Sequence, residues 1–588
     1  MAPVAKNGLI CMVSPCRRKR IQDEHAQRAA RRATHKGRTS MKHSVVSLDD
    51  KYTLESGRVY LTGMQALVRL PIMQRQRDMA AGLNTAGYIS GYRGSPLGGY
   101  DNALTQAKSF LEANHVKFHP GLNEDLAATA VWGSQHTEVF PGGKYDGVFA
   151  IWYGKGPGVD RSGDVFKHGN FAGSGSKGGV LLIAGDDHGA KSSSMPHQSE
   201  QAFVASLIPV LNPATVQEYL DLGLWGFAAS RYSGCWVGFK AISDTVESSA
   251  SVSVDPHRVQ FTEPQDFERP AGGLGIDVEY QPAPYEVRLH EQKLPALHAF
   301  ARANPIDHIV IDSPAPKLGV VTTGKGYLDL RQALDDLGID ENKASELGLR
   351  VYKLALTWPI EPEGMLKFAE GIDEILVVEE KRGFIEEQLT KLFYNRDGGP
   401  RSIVGKTDES GRTLIPATGE ISPGVVARAL ADRIRRFENR PEFTQALSRL
   451  DQIEAKKSAV APGLTRSPYF CSGCPHNTST RLPEGSRAMA GIGCHAMAMF
   501  HPERRTVYAT HMGGEGINWI GHSPFTEEKH LFANLGDGTY DHSGLLAIRA
   551  AVAANVNITY KILYNDAVAM TGGQPLAGTV TPDAIVRQ

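Results

Sequence analysis

The sequence predicts a multidomain α/β protein whose domains are built on parallel β-sheets. Apolar strand-like segments such as 180–185 and 374–380 alternate with segments of helical periodicity, and this alternation is typical of parallel sheets. The chain has 588 residues, enough for about three to four domains at ~150 residues each. We therefore expect several α/β domains in succession.

The charge balance argues against a nucleic-acid or membrane partner. Lys and Arg number 63 and Asp and Glu 64, so the net charge is −1. No run approaches the ~18 consecutive apolar residues of a membrane span. The six cysteines are too scattered for a secreted disulfide framework. We expect a cytoplasmic protein that binds neither nucleic acid nor membrane.

The first 45 residues differ in composition from the rest and are predicted to be a disordered basic tail. Nine basic residues between Arg17 and Arg38 are opposed only by Asp23 and Glu24, a composition that cannot build a core. A secretory signal is disfavoured because no apolar segment is present. Met41 resembles a natural start, so residues 1–40 are either an over-extended gene prediction or a tail.

Composition divides the remaining chain into three α/β domains and two connecting segments. The predicted order is a first domain over 46–260, a linker or insertion over 261–306, a second domain over 307–437, a connector over 438–465 and a third domain over 466–588. The last residues resemble the start of a helix with nothing after it. We therefore expect the third domain to be incomplete at its C-terminus and the chain to be a fragment.

A strand–loop–helix–strand pattern near the end of the chain carries the clearest motif. An apolar run ends at Gly536-Asp537-Gly538, and Asn565 follows a second apolar run 28 positions after Asp537. Both polar residues are thus predicted at the carboxyl ends of neighbouring parallel strands, where open α/β sheets bind ligands.

Magnesium ions require hard oxygen ligands of the kind this motif offers. Asp537, Asn565 and the main-chain carbonyl of Ala567 are the predicted ligands, and the N–H groups of Gly536 and Gly538 are predicted to face a diphosphate. The pattern resembles the diphosphate-binding motif of thiamine diphosphate enzymes. The alternative is a glycine-rich loop without a ligand.

Glu124 is the candidate for the glutamate that this cofactor class requires. Such a glutamate hydrogen-bonds the aminopyrimidine ring, so that the exocyclic nitrogen can remove the proton at C2 of the thiazolium. Glu124 opens an amphipathic helix beside Asn123. From spacing alone, a helix-capping role is the simpler interpretation.

Three segments of the first domain favour the catalytic role through a family resemblance. Residues 91–101, 123–125 and 180–193 resemble the pyrimidine-binding half of the 2-oxoacid:ferredoxin oxidoreductases, and among them most closely the indolepyruvate ferredoxin oxidoreductases. The resemblance implies that Glu124 is catalytic and that Ser95 hydrogen-bonds the oxoacid carboxylate. Arg93 replaces the family's usual proline; it could pair with a carboxylate, although an exposed arginine in a turn is the simpler expectation.

The same resemblance assigns the fold and cofactor of each domain. It implies a pyrimidine-binding first domain, a diphosphate-binding third domain and an intervening domain like the C-terminal domain of transketolase. His542 is the best candidate for a contact near the diphosphate. Gly514, in the glycine cluster 512–516, is predicted either to approach the cofactor or to form a tight turn.

Three cysteines in the third domain suggest a metal site. Cys471 and Cys474 are separated by two residues, and Cys494 follows twenty positions later. The family resemblance implies a [4Fe–4S] cluster, which needs four cysteines; the fourth ligand is expected outside this chain, in the missing C-terminal part. Zinc completed by His476 and His495, or free thiols, are the alternatives. Cys235, alone on an apolar strand, is expected to be a core thiol.

By resemblance, the predicted reaction is the oxidative decarboxylation of an aryl-2-oxoacid such as indolepyruvate. Coenzyme A would accept the acyl group and ferredoxin the electrons, and a homodimer is expected because the two cofactor-binding halves usually meet across an interface. The chain would be the N-terminal portion of a fused enzyme. The alternatives are a non-oxidative thiamine diphosphate decarboxylase or synthase, which has no use for the cysteines, and a zinc-stabilised protein without activity.

Overall fold

The computed structural model describes residues 46–279, 281–458, 468–576 and 581–588. The predicted basic tail, 1–45, lies outside these residues. The chain divides into two compact units, Met1–Asp50 and Lys51–Gln588. Of the first unit only 46–50 are described, where the Ser47 N–H donates to the Asp50 carboxylate over 2.9 Å. The following paragraphs concern the second unit.

A seven-stranded sheet forms the centre of the first domain. Its strands are, in spatial order, Leu356–Trp358, Val210–Leu211, Val237–Ile242, Val180–Asp186, Val148–Lys155, Ala86–Gly91 and Val116–Phe118. All neighbours pair in parallel except the edge strand Leu356–Trp358, which is antiparallel. This edge strand comes from the part of the sequence predicted as the second domain. A separate antiparallel pair joins Arg58–Thr62 to Ser249–Ser253.

Helices cover both faces of this sheet, which explains the continuous apolar runs of its strands. Leu181 and Ile183 pack into one core with Trp225, whereas Leu182 packs into the opposite core with Trp152. The helices are Gly63–Ala80, Gly98–Gln106, Lys108–Ala113, Glu124–Gln135, Gly156–Arg161, Gly163–Ala172, Glu200–Ala205, Val216–Ser233 and Ser243–Val246.

The segment predicted as a linker or insertion is a helical insertion that packs on the first domain. It contains the helices Pro282–Arg288 and Leu294–Ala303, joined by a π-helical turn. The centroids of the Phe300 and Trp225 rings lie 5.3 Å apart, and the Trp225 indole N–H donates to the Asn304 main-chain carbonyl over 2.9 Å.

The second domain contains a five-stranded sheet. Its strands are, in order, Ser402–Val404, Glu374–Val378, Leu318–Thr323, Leu349–Leu354 and His308–Ile311, and only the last is antiparallel to its neighbour. Its helices are Gly324–Asp336, Glu341–Glu346, Pro362–Ala369, Phe384–Phe393 and Pro423–Ile434. The predicted connector is largely the helix Pro441–Ser458, which buries Phe443 in the core of this domain.

The third domain contains four parallel strands in the order Thr506–Ala509, Ala488–Ala490, Leu531–Gly536 and Ile558–Leu563. Its helical segments include His476–Ser479, Cys494–Phe500, Ile517–His522, Leu545–Ala553 and Pro582–Arg587, and a short antiparallel pair joins Ala567–Val568 to Gln574–Pro575. The predicted multidomain α/β class with parallel sheets is confirmed. None of the helices described for this chain has the length and apolar character needed to cross a bilayer.

A buried charged cluster lies beside a small cavity between the first and second sheets. The Lys240 ammonium lies 2.5 Å from the Glu200 carboxylate and 3.7 Å from that of Asp186, and all three side chains are buried. On the other side of the cavity, His188 lies 3.6 Å from Glu380. Such charges are stable only while they remain paired.

Replacing Lys240 by Met is expected to destabilise the protein by about 3–5 kcal/mol, because it leaves two buried carboxylates without their cation. Lys108→Met is the matched control: Lys108 pairs with Glu112 at 3.8 Å on the surface and should change stability by less than about 1 kcal/mol. Urea denaturation of the three proteins measures both effects. Equal changes for the two variants would contradict a role for the buried pair.

Glu379 should make stability depend on pH. It is 3% exposed, accepts N–H groups from Ile385 and Glu386 at 2.8 and 3.1 Å, and burial raises its pKa to about 7. A carboxyl whose pKa is higher in the folded state destabilises the fold as pH rises from its unfolded value of about 4.5 through 7, here by about 3 kcal/mol. Glu379→Gln should flatten this part of the profile in urea melts between pH 5 and 8; an unchanged slope argues against the assignment.

Candidate functional site

Glu124 and His542, 418 positions apart in sequence, meet in one buried hydrogen bond. Glu124 Oε2 lies 2.7 Å from His542 Nε2, and Glu124 is only 8% exposed. The Asn123 side-chain amide also donates to the His542 carbonyl over 3.1 Å. The first and third domains therefore face each other at this pair within a single chain.

The neighbouring residues of Glu124 leave its carboxylate free to face the third domain. Asn123, rather than Glu124, caps the helix Glu124–Gln135 by accepting the Leu126 N–H over 3.0 Å. The Trp152 indole donates to the Glu124 carbonyl over 2.9 Å. A Cβ atom at Gly158 would lie 2.5 Å from Glu124 Cγ, so a glycine is needed there. The capping interpretation of Glu124 is thus wrong, because Asn123 performs that role.

His542 is held on both ring nitrogens. Its Nδ1 lies 2.6 Å from the Ser543 hydroxyl, while its Nε2 contacts Glu124. The Tyr92 ring contacts the imidazole edge-on, with centroids 4.7 Å apart. The sequence predicted a contact near the diphosphate. The structure places the ring against Glu124, and the diphosphate contact stays a prediction.

Asp537 organises the loop that follows the strand Leu531–Gly536. Its buried carboxylate accepts the N–H groups of Asn565, Asp566 and Gly538 at 2.8, 2.6 and 2.9 Å. The neighbouring strand Ile558–Leu563 is parallel, so Asp537 and Asn565 meet at the same sheet edge as predicted.

Two features of this loop differ from the predicted diphosphate cradle. The Gly538 N–H donates to the Asp537 side chain, so in this conformation it does not point to a ligand. The Asn565 side chain is exposed, and its carbonyl oxygen accepts the Ala567 N–H over 3.1 Å. A magnesium ion would find a buried carboxylate at Asp537 and an accessible amide oxygen at Asn565, with the Ala567 carbonyl nearby in the chain. This donor set fits the oxygen preference of magnesium.

The glycine cluster 512–516 contains an acidic residue, Glu515, that was not predicted as a site residue. Glu515 is fully buried and accepts the N–H groups of Gly513 and Ile492 at 2.8 and 3.2 Å. Burial raises its pKa, and the nearby His542 acts in the opposite direction. At Gly514 a Cβ would lie 2.4 Å from the His511 ring, which supports the tight-turn alternative for that residue. The sequence signal that could have identified Glu515 is an acidic residue inside a glycine-rich turn.

The three cysteines of the third domain do not form an arranged ligand set. The Cys474 N–H donates to the Cys471 carbonyl over 3.0 Å, and Cys494 opens the helical segment Cys494–Phe500. Burial raises the pKa of Cys494, with smaller contributions from the other two thiols. Within the described ranges, no three His, Cys, Asp or Glu side chains could hold one metal ion. The described residues therefore do not fit a cluster. Cys235 is fully buried, as expected of a core thiol.

His495, proposed as a zinc ligand, lies against the diphosphate loop. Burial, and to a lesser extent His476, lowers its pKa to about 4. Its ring lies 3.5 Å from a Cβ built at Gly536, and its Nε2 is buried without a hydrogen-bond partner among the described residues. This nitrogen is therefore available to a group bound at the loop.

Comparison with known proteins finds similarity to indolepyruvate oxidoreductases. The family model of the indolepyruvate oxidoreductase domain matches residues 308–457. Indolepyruvate oxidoreductase subunit IorA of Thermococcus kodakarensis is 25% identical over 516 residues, which cover 80% of this chain and 75% of the relative. The same subunit of Pyrococcus abyssi is 25% identical over 550 residues, covering 89% and 76%.

One solved structure with a partial likeness is a 2-oxoglutarate:ferredoxin oxidoreductase from Magnetococcus marinus. Its TM-score is 0.45 at 14% identity, over 64% of this chain and 65% of that one. The relationship to IorA extends over most of the chain, and the matching domain model lies in the second domain. Over most of its length the chain is thus similar to indolepyruvate oxidoreductase subunit IorA.

Proposed function

We propose that this chain binds thiamine diphosphate between its first and third domains and oxidises a 2-oxoacid there. The observation that carries the proposal is the buried Glu124 carboxylate, which faces His542 of the third domain at 2.7 Å. Asp537 and Asn565 at the nearby sheet edge supply oxygen ligands of the type that a magnesium diphosphate requires.

Glu124 is proposed to hold the aminopyrimidine end of the cofactor. When bound, thiamine diphosphate supplies an acidic carbon that adds to a ketone and then accepts electrons. The Glu124 carboxyl would hold a proton against the pyrimidine ring, and its buried position would keep water away from that proton. His542 already occupies Oε2, so its ring would position the carboxylate or give way to the cofactor.

At the other end, Asp537 is proposed to bind magnesium together with Asn565 and the Ala567 carbonyl. Asp537 also accepts the N–H groups of Asn565 and Asp566, so one side chain would both bind the ion and hold the second ligand in place. Gly536 and the unpartnered His495 Nε2 would lie near the diphosphate. Ser95, half-buried in the turn after Ala86–Gly91, is proposed to donate to the substrate.

The finer parts of the proposal rest on the family relationship. We propose an aryl-2-oxoacid such as indolepyruvate as substrate, coenzyme A as acyl acceptor and ferredoxin as electron acceptor. No electron-transfer step is assigned to Cys471, Cys474 and Cys494, because the described residues do not gather them into a ligand set. Homodimer formation stays a prediction. It was expected because the two cofactor-binding halves usually meet across a subunit interface, but here Glu124 and His542 meet within one chain, which weakens that reason.

The proposal is tested with the full-length protein purified without oxygen, supplied with thiamine diphosphate and magnesium, and assayed with aryl-2-oxoacids and a viologen dye. Dye reduction that depends on both cofactor and 2-oxoacid is the expected result. Decarboxylation without dye reduction would favour the non-oxidative alternative. Neither decarboxylation nor dye reduction with any 2-oxoacid would overturn the proposal. Iron and zinc analysis of the same sample tests the role of the three cysteines.

A further inference from the structure

Arg93 is a buried cation that forms no ion pair with a carboxylate of the described residues. It is 7% exposed, so the expectation of an exposed arginine is wrong. Its Nε is buried without a hydrogen-bond partner, while the guanidinium interacts with the Tyr92 side chain. A buried guanidinium without an ion pair costs several kcal/mol, a cost that a bound anion would offset.

The position of Arg93 connects it to the Glu124–His542 pair. The Arg93 guanidinium lies 5.3 Å from the centre of the Tyr92 ring, and the Tyr92 ring contacts the His542 ring at 4.7 Å. His542 in turn binds Glu124. Two aromatic rings, those of Tyr92 and His542, thus link Arg93 to the carboxylate proposed to activate the cofactor.

Asp541, an acidic residue near Arg93, does not form an ion pair with it. The Asp541 carboxyl, beside His542 in sequence, has its pKa raised by burial and lowered less strongly by Arg93. The two groups therefore interact electrostatically, yet no ion pair between them is found among the described residues. The remaining candidate for an oppositely charged partner of Arg93 is a carboxylate from outside the protein.

We propose that Arg93 binds the carboxylate of the 2-oxoacid substrate. A guanidinium presents two parallel N–H groups that match a carboxylate, and it stays charged when buried. Ser95 lies two residues further along the same turn and offers a hydroxyl to the same group. Arg93 would thereby direct the ketone of the substrate toward the cofactor. This inference rests on the function proposed above.

The test compares Arg93→Met, Arg93→Lys and Arg93→Gln in the full-length protein carrying thiamine diphosphate and magnesium. The KM for the aryl-2-oxoacid should rise at least about 100-fold in the Met and Gln variants, with a smaller change in kcat. Arg93→Lys should recover part of the loss, because it keeps the charge without the paired donors. Arg161→Gln is the matched control. Arg161 pairs at 3.1 Å with Asp125, which follows Glu124 near the start of the same helix.

Two further readouts do not depend on turnover. An aryl acetate, which has the carboxylate but no ketone, should bind the wild-type protein in calorimetry and lose at least about tenfold in affinity in Arg93→Met. The same variant should fold with a melting temperature equal to or above that of the wild type, because the substitution removes a buried charge that has no partner. A large fall in melting temperature would indicate a structural partner and would overturn the proposal.

The alternative anion is the diphosphate of the cofactor, and the experiment separates the two. Unchanged cofactor affinity with raised KM supports substrate binding. Lowered cofactor affinity with unchanged KM assigns Arg93 to the diphosphate and overturns the proposal. An unchanged KM in an active enzyme overturns it while the proposed function stands. A wild-type protein that binds neither cofactor nor aryl acetate overturns both.

Discussion

Glu124→Gln is expected to slow hydrogen–deuterium exchange at C2 of bound thiamine diphosphate by about 10²- to 10⁴-fold, the usual contribution of one positioned acid–base group. Cofactor affinity should change by less than about tenfold, because the amide has nearly the shape of the carboxyl and can still bond His542. The physical reason is that a Gln amide cannot release or accept the proton that the proposed role of Glu124 requires. Exchange is followed by NMR after rapid acid quench.

Asp125→Asn provides the control for this prediction. Asp125 follows Glu124 in the same helical turn but pairs with Arg161 at 3.1 Å, and no contact links it to His542. Its variant should exchange C2 at the wild-type rate. An unchanged exchange rate in Glu124→Gln would remove Glu124 from the proposed chemistry and leave it as a structural partner of His542.

Asp537→Ala is expected to weaken magnesium and thiamine diphosphate binding together, each by at least about 100-fold. The substitution removes the proposed metal ligand and also the acceptor of the Asn565 and Asp566 N–H groups, which hold the second ligand. Equilibrium dialysis of both components measures the loss.

Two variants separate the roles of Asp537. Asp537→Asn keeps one acceptor oxygen for the loop but loses the charge, so its affinity should lie between those of Ala and the wild type. Asp583→Asn, at an exposed position in the helix Pro582–Arg587, should bind as the wild type does. Affinity for both components that survives Asp537→Ala would exclude this residue from the site.

The sequence was sufficient to predict the parts of the fold that local periodicity controls. Strand, loop and helix follow one another around Asp537 as expected, because a buried parallel strand and an amphipathic helix each leave their own apolar period. Asn565 lies at the same sheet edge because the two strands are neighbours in both sequence and space.

Contacts between distant segments could not be predicted in this way. His542 lies against Glu124 because two domains pack face to face, and no local pattern encodes a contact across 418 positions. Arg93 was expected to be exposed, since arginines in turns usually are, and only the packed structure shows it buried. The edge strand Leu356–Trp358 joins the first sheet although its sequence lies within the second domain, because strand partners depend on topology.

The most direct test of the central claim is calorimetric titration of the metal-free full-length protein with thiamine diphosphate, with and without magnesium. The structure places one Glu124–His542 pair and one Asp537 loop in each chain, so we predict one cofactor per chain and a strong dependence of the affinity on magnesium. No detectable binding in the presence of magnesium, or binding that magnesium and Asp537→Ala leave unchanged, would contradict the claim that these residues form a thiamine diphosphate site.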